Sequence, residues 1–243
     1  MNTTTCPWDK FSPATLTFCE ENLCSWVVHP AEAWSSLIIS AIGAYIIYDA
    51  KKKNLPMLWL FGLAGILVGL FSFAFHATMT FWGEILDLGS MYLVVSLAIA
   101  FNLRRYYPQI SKKAFTLLYV GMSLGCLSLL AIHKPMGSVI FGTFIVFGVA
   151  MEVYMKDKVR PEYKVDYKYL KYCLGTLLFA WGIWWLDILK IVCNPANHIW
   201  TGHSTWHSLN GVSIYFLYKL YQQLPEMLWE MKRDELPTEG QLA

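Results

Sequence analysis

The sequence predicts an all-α fold: an integral membrane bundle of seven transmembrane helices, with the N-terminus outside or lumenal and the C-terminus cytoplasmic. Three observations predict it. Hydrophobic residues make up 56% of the 243 positions and charged residues only 15%, against about 25% charged in an average soluble domain. Aromatic residues make up 16%, including 11 Trp and 14 Tyr, and Trp and Tyr favour membrane–water interfaces. Largely apolar stretches approaching the ~20 residues that cross a bilayer recur seven times.

The candidate spans are 34–48, 56–75, 85–103, 114–132, 136–154, 170–189 and 205–221. The first is short and is expected to begin a turn earlier. Residues 1–33 carry Asp9, Lys10, Glu20, Glu21 and Glu32 and lack a signal-type apolar core, so the first span is expected to direct insertion itself. The short link at His133-Lys134-Pro135 predicts a hairpin of spans 4 and 5, and Gly121 and Gly125 on span 4 predict close helix packing. Three regions follow: an extracytoplasmic N-terminal segment over 1–33, the bundle over 34–222, and a polar cytoplasmic tail over 223–243, in which Asp234 to Ala243 is expected to be disordered. The tail carries no lipidation or retrieval motif.

Lysine and arginine set the orientation. The loops after spans 1, 3 and 5 and the C-terminal end, each with its adjoining helix turn, hold 16 of the 19. The N-terminal segment, the 4–5 link and the 6–7 loop hold only Lys10, Lys134 and Lys190. The expected location is therefore a multi-pass integral membrane protein. Its membrane is the cytoplasmic membrane in a bacterial host, or the endoplasmic reticulum or Golgi in a eukaryotic one. A net charge of +2 is too small to imply a nucleic-acid partner.

Ionisable residues inside spans cost ~2.5–3.5 kcal/mol each on insertion scales, so each asks for a function. Here they gather. Span 2 ends outward with Ser72 and His76, four residues apart and so on one helix face. Span 3 carries Asp87 near its outer end, span 6 ends with Asp187, and span 7 begins with His203 and His207, again four apart. In chemical terms this is a zinc constellation: two imidazoles at i and i+4 can bind one ion, and three leave the fourth tetrahedral position for water. A nearby carboxylate can hold that water and take its proton. A single histidine at a helix end is more often a packed or interfacial residue; matching depth on several helices argues against that here. His29, His133 and His198 lack histidine partners at helical spacing and are expected to be solvated.

The N-terminal segment has a second cluster, Cys19-Glu20-Glu21-Asn22 followed by Glu32. Its hard oxygens suit Ca²⁺, and they equally suit a solvated acidic loop. Cys19 and Cys193 both fall outside, where a disulfide can persist, and a bond between them would tie the N-terminal segment to the 6–7 loop. Cys6 and Cys24 offer other pairings, and the sequence does not choose. Cys126 and Cys173 are expected to be buried thiols.

Three blocks resemble the alkaline ceramidase family, within the superfamily that includes the adiponectin-type receptors and the GPI-remodelling lipid hydrolases. They are Cys19-Glu20-Glu21-Asn22 with Glu32-Ala33-Trp34; Ser72, Phe75-His76 and Thr78 through Leu86-Asp87 and Met91; and His203 with Trp206-His207, Leu209 and Gly211. The resemblance implies a seven-helix intramembrane hydrolase in which His76, His203 and His207 bind zinc. Asp87 would hold the water on that zinc as general base, and Ser72 would help stabilise the oxyanion. It also implies calcium ligands at Glu20, Asn22, Glu32 and the Phe18 carbonyl, a Cys19–Cys193 disulfide, and a supporting place for Asp187. Thr17-Phe18 stands where the family has Asp-Trp, which removes one calcium carboxylate. The 6–7 loop is two residues longer than the family pattern between Asp187 and Cys193.

The expected function is zinc-dependent hydrolysis of a lipid amide, ceramide to a sphingoid base and a fatty acid. The expected partners are a ceramide-like lipid and the bilayer. Two other readings remain: a phospholipase or lipid esterase with the same zinc, and a non-catalytic, receptor-like zinc membrane protein.

Overall fold

The computed structural model describes residues 5–55, 57–133 and 136–224. The expectations for the tail and for Lys134-Pro135 fall largely outside these residues. Seven α-helices follow the predicted order: α1 (Pro30–Lys52), α2 (Trp59–Thr78), α3 (Phe81–Tyr106), α4 (Lys112–Ile132), α5 (Gly137–Met155), α6 (Lys168–Ile188) and α7 (Gly202–Tyr221). Helices of about 20 residues are about 30 Å long, the thickness of a bilayer core. Helices α1 to α5 are long and apolar enough to cross a membrane. Helices α6 and α7 have the length, 21 and 20 residues, but carry the Trp, Tyr, His and Asn side chains that lower their hydropathy.

Local chemistry sets the helix ends. Helix α1 starts on Pro30 in its first turn, where a missing N–H costs nothing. Thr80, Ser111 and Thr201 cap α3, α4 and α7 through their hydroxyls, each accepting from an otherwise unpaired N–H. Lys51 and Lys52 close α1, and Arg104 and Arg105 close α3, where the helix dipole favours cations. Helix α1 begins at Pro30 and α3 at Phe81, each four residues before the predicted span, because hydropathy cannot detect a polar first turn.

Helix α1 packs on α2 and α7, α2 on α3, and α6 on α7. The backbones of α1 and α2 touch. A Cβ on Gly43 would lie 2.5 Å from the Gly62 carbonyl oxygen, and one on Gly69 would lie 2.7 Å from that of Ser36. Close packing therefore belongs to these glycines. The expectation for Gly121 and Gly125 is corrected, since a Cβ at either meets nothing within 4 Å. The predicted hairpin also needs revision: α4 and α5 follow each other but pack chiefly on α3. Leu117, Leu124 and Ile132 on α4, Val146 and Val153 on α5, and Leu178 and Phe179 on α6 are exposed, as lipid-facing residues would be.

The two poles differ. At one, Arg105 is buried and donates to both Glu152 oxygens at 3.0 and 2.8 Å and to the Tyr163 carbonyl at 2.8 Å. Tyr221 donates nearby to Asn102 at 2.8 Å. At the other pole the N-terminal segment lies across the helix ends. The N–H groups of Val28 and His29 donate to the Ala77 and His76 carbonyls, both at 3.0 Å, so the end of α2 gains partners it cannot find within its own helix. Phe81 N–H donates to Ser12 and Ala14 N–H to Met79. Glu84, buried, accepts from the Thr15 N–H and hydroxyl. Two disulfides staple the segment, Cys6–Cys24 and Cys19–Cys193. Cys126 and Cys173 are buried and free, as expected.

Candidate metal centre and active site

His76 is placed by the last turn of α2 and His203 and His207 by the first two turns of α7. Their ring centroids lie 4.8, 5.0 and 4.5 Å apart. One nitrogen from each falls within 4.8 Å of the others. All three rings are buried, at 0, 3 and 2% exposure. Such depth matters because a buried polar atom without a partner costs about 1–3 kcal/mol. Yet, among the described residues, both nitrogens of His76 and Nδ1 of His203 have no hydrogen-bond partner. A cluster of neutral imidazole lone pairs around one point is the donor set that suits zinc. The residues present fit that ion.

Surrounding groups hold the rings. Ser35 Oγ lies 2.9 Å from His207 Nδ1 and donates its only hydrogen to the Glu32 carbonyl at 3.0 Å. Ser35 must therefore accept from Nδ1–H, which leaves the Nε2 lone pair of His207 facing the cluster. Ser36 stands behind it at 3.4 Å and also reaches Ser72 Oγ at 3.2 Å. Ser72 Oγ lies 3.3 Å from His207 Nε2. Asp187, 1% exposed, accepts from the backbone N–H of His203 at 3.0 Å and of Cys19 at 2.9 Å. It thus joins α6, the start of α7 and the N-terminal segment. A Cβ on Gly202 would lie 3.1 Å from its Oδ2, so a larger residue there would push the carboxylate by a few tenths of an ångström. The Phe18 ring lies 4.2 Å from His203 and 5.1 Å from His76 and shields the cluster from the N-terminal side.

Ser72, Asp87 and His207 share the wall of one elongated cavity. Asp87 is half-buried and sits outside the tight histidine group, as suits a group that acts on a reactant. Below them the lining is mostly aliphatic, with Val68, Met91, Val94, Ile214 and Leu217. The cavity continues to Asn102, Glu152 and Tyr221. His207 and Tyr221 are fourteen residues apart on α7, which is about 21 Å.

The side-chain oxygens assigned to calcium meet other groups. Glu20 accepts from the N–H groups of Ala31 and Glu32 at 3.1 and 3.2 Å, and His198 Nδ1 lies 2.9 Å from it. Asn22 Oδ1 lies 2.6 Å from His29 Nε2. Glu32 Oε2 lies 2.9 Å from both His29 Nδ1 and His76 Nδ1. Imidazoles and amides thus engage these oxygens, Glu32 Oε1 excepted; calcium takes six to eight oxygen ligands. His29 and His198 are therefore not the solvated loop residues expected. His29 is 1% exposed and wedged between Asn22 and Glu32. Ser35, Ser36 and His29 were missed by sequence reasoning; a signal existed in the spacing of His29, Glu32, Ser35 and Ser36 along one helix face.

The family model for ceramidase matches residues 11–236, a stretch that holds all seven helices and every residue of the cluster. The chain belongs to the ceramidase family. Alkaline ceramidase YPC1 of Saccharomyces cerevisiae is 27% identical over 240 residues, covering 84% of this chain and 74% of that protein. Both findings support the resemblance read from the Glu-Glu-Asn, Ser–His–Asp and His–His blocks. Membership in the ceramidase family implies a hydrolase for the amide bond of a ceramide lipid.

Proposed function

We propose that this ceramidase is a zinc-dependent intramembrane amidase that converts ceramide and water to a sphingoid base and a fatty acid. The observation that carries the reading is the convergence of three buried imidazoles, two of them with unpartnered nitrogens, beside a cavity that also exposes Ser72 and Asp87. His76, His203 and His207 hold the ion. When bound, zinc polarises a carbonyl and makes a water easier to deprotonate. Asp87 takes the proton as the water oxygen bonds to the carbonyl carbon. Ser72 turns its hydroxyl toward the oxygen that gains charge. As the C–N bond breaks, the proton held by Asp87 passes to the leaving nitrogen.

The aliphatic run of the cavity takes one long chain of the lipid. His207 and Tyr221, which both line the cavity, lie ~21 Å apart along α7, and the polar end of the chain would lie near Asp87. All seven helices span the membrane in this reading, with the histidine pole outside or lumenal and the Arg104–Arg105 pole cytoplasmic. The outward segment then carries both disulfides, consistent with an oxidising compartment. A lipid panel in detergent micelles, wild type against Asp87→Asn, tests the substrate class. Release of fatty acid from ceramide, lost in the variant, is expected. Turnover of phospholipid with none of ceramide would replace this reading with the esterase one.

A further inference from the structure

His76 belongs to two groups of potential metal ligands, and only one has been used. The second is His29, Glu32 and His76. All three are buried, at 1, 0 and 0% exposure. His29 Nδ1 and His76 Nδ1 each lie 2.9 Å from Glu32 Oε2. Glu32 Oε1 and His76 Nδ1 make no hydrogen bond, so the short approach of His76 to Glu32 is not aligned as one.

The proton count on His29 sharpens this. Asn22 Oδ1 is an acceptor, so His29 Nε2 must carry the hydrogen between them, 2.6 Å apart. In the neutral ring Nδ1 is then a lone pair, and it faces a carboxylate oxygen. Two lone pairs at 2.9 Å need a proton or a metal cation between them. An imidazole whose far N–H is held by a side-chain oxygen is the usual setting of a metal-bound histidine. Two donors about 2.1 Å from one tetrahedral zinc lie about 3.4 Å apart, so the 2.9 Å pairs would open by about half an ångström to take the ion.

We infer a second transition-metal position on the far side of the His76 ring, with zinc as its ion and His29 Nδ1, Glu32 and His76 Nδ1 as its ligands. Two imidazoles and one carboxylate form a zinc donor set, unlike the oxygen cage that calcium needs. His76 presents Nε2 to one ion and Nδ1 to the other as a bridging imidazolate, its ring proton released on metal binding. Both otherwise unpartnered nitrogens of a fully buried ring are then satisfied. The second ion ties His29 at the end of the N-terminal segment to α1 and α2. This inference depends on the three-histidine reading only through the shared ring.

Metal analysis of the full-length protein in detergent, loaded with zinc and cleared of free metal, tests it. Two zinc ions per chain are expected for the wild type and one for His29→Gln. His203→Ala should also bind one, but at the other position. Because His29→Gln could disturb folding, cobalt(II) is titrated into metal-free wild type, where visible absorption should rise to two equivalents and not one. One zinc per chain in both the wild type and His29→Gln, with a one-equivalent cobalt endpoint, would overturn the second position and show that a proton lies between His29 and Glu32. If His203→Ala and His207→Ala keep the full wild-type zinc content while His29→Gln loses zinc, the three-histidine site fails and the second position stands.

Discussion

Removing the two hydroxyls behind His207 tests how the protein holds its metal. Ser35 accepts from His207 Nδ1 at 2.9 Å, and Ser36 stands at 3.4 Å as a longer substitute. Loss of a group that orients a metal-bound histidine lowers affinity by about 10–100-fold, or ~1.4–2.8 kcal/mol at 1.4 kcal/mol per tenfold. Ser35→Ala should fall at the weak end, about tenfold, because Ser36 can swing in. The double variant Ser35→Ala, Ser36→Ala leaves the Nδ1–H buried without a partner and should reach about 100-fold. Competition for zinc with a chromophoric chelator measures it, with ceramide hydrolysis at saturating zinc as a second readout. Activity should recover largely when zinc is in excess, since neither serine touches the reacting atoms. Unchanged zinc affinity in the double variant would refute the hydrogen-bond assignment and the tautomer drawn from it.

Three further outcomes follow from the same geometry. Asp87→Asn should lower ceramide turnover by about 10²–10⁴-fold, the range for a general base, with zinc content unchanged; loss of zinc instead would make Asp87 a ligand. Cys19→Ser with Cys193→Ser should lower stability by about 2–4 kcal/mol, seen as a lower Tm in detergent, and an unchanged Tm would show that the N-terminal segment is held by its hydrogen bonds alone. Gly62→Ala should cost about 1–3 kcal/mol through overpacking, because its Cβ would lie 2.5 Å from the Gly43 carbonyl oxygen, whereas Gly121→Ala should change Tm little; equal effects would contradict the packing described for α1 and α2.

Much of the fold was legible because membrane insertion writes it into composition. Long apolar runs and the clustering of Lys and Arg between them predict helix number and order, and the structure follows that order. The polar first turns of α1 and α3 escaped, since Glu32 and Glu84 look unlike membrane residues until the N-terminal segment is seen to cover them. The histidine centre was legible because His203 and His207 share a helix face and Ser72 and His76 share another. What could not be read was tertiary. Nothing in the loop sequence reveals that residues 5–29 fold back over the helix ends and bury His29. Gly121 and Gly125 have the spacing of a packing motif, yet it is Gly43, Gly62 and Gly69 that meet a neighbouring backbone. The acidic cluster suggested calcium through its oxygens and the resemblance named the ligand set, and only the placement of His29 and His198 shows that imidazoles meet Glu20, Asn22 and Glu32.

In the proposed mechanism His76, His203 and His207 hold a zinc ion that supports hydrolysis of ceramide's amide bond. Its most direct test is zinc add-back to metal-free protein in micelles, with fatty-acid release from ceramide as the readout. Wild type should be inactive without metal and regain activity as zinc is restored, and His207→Ala should stay inactive throughout. Full activity in protein shown to contain no metal would contradict the account.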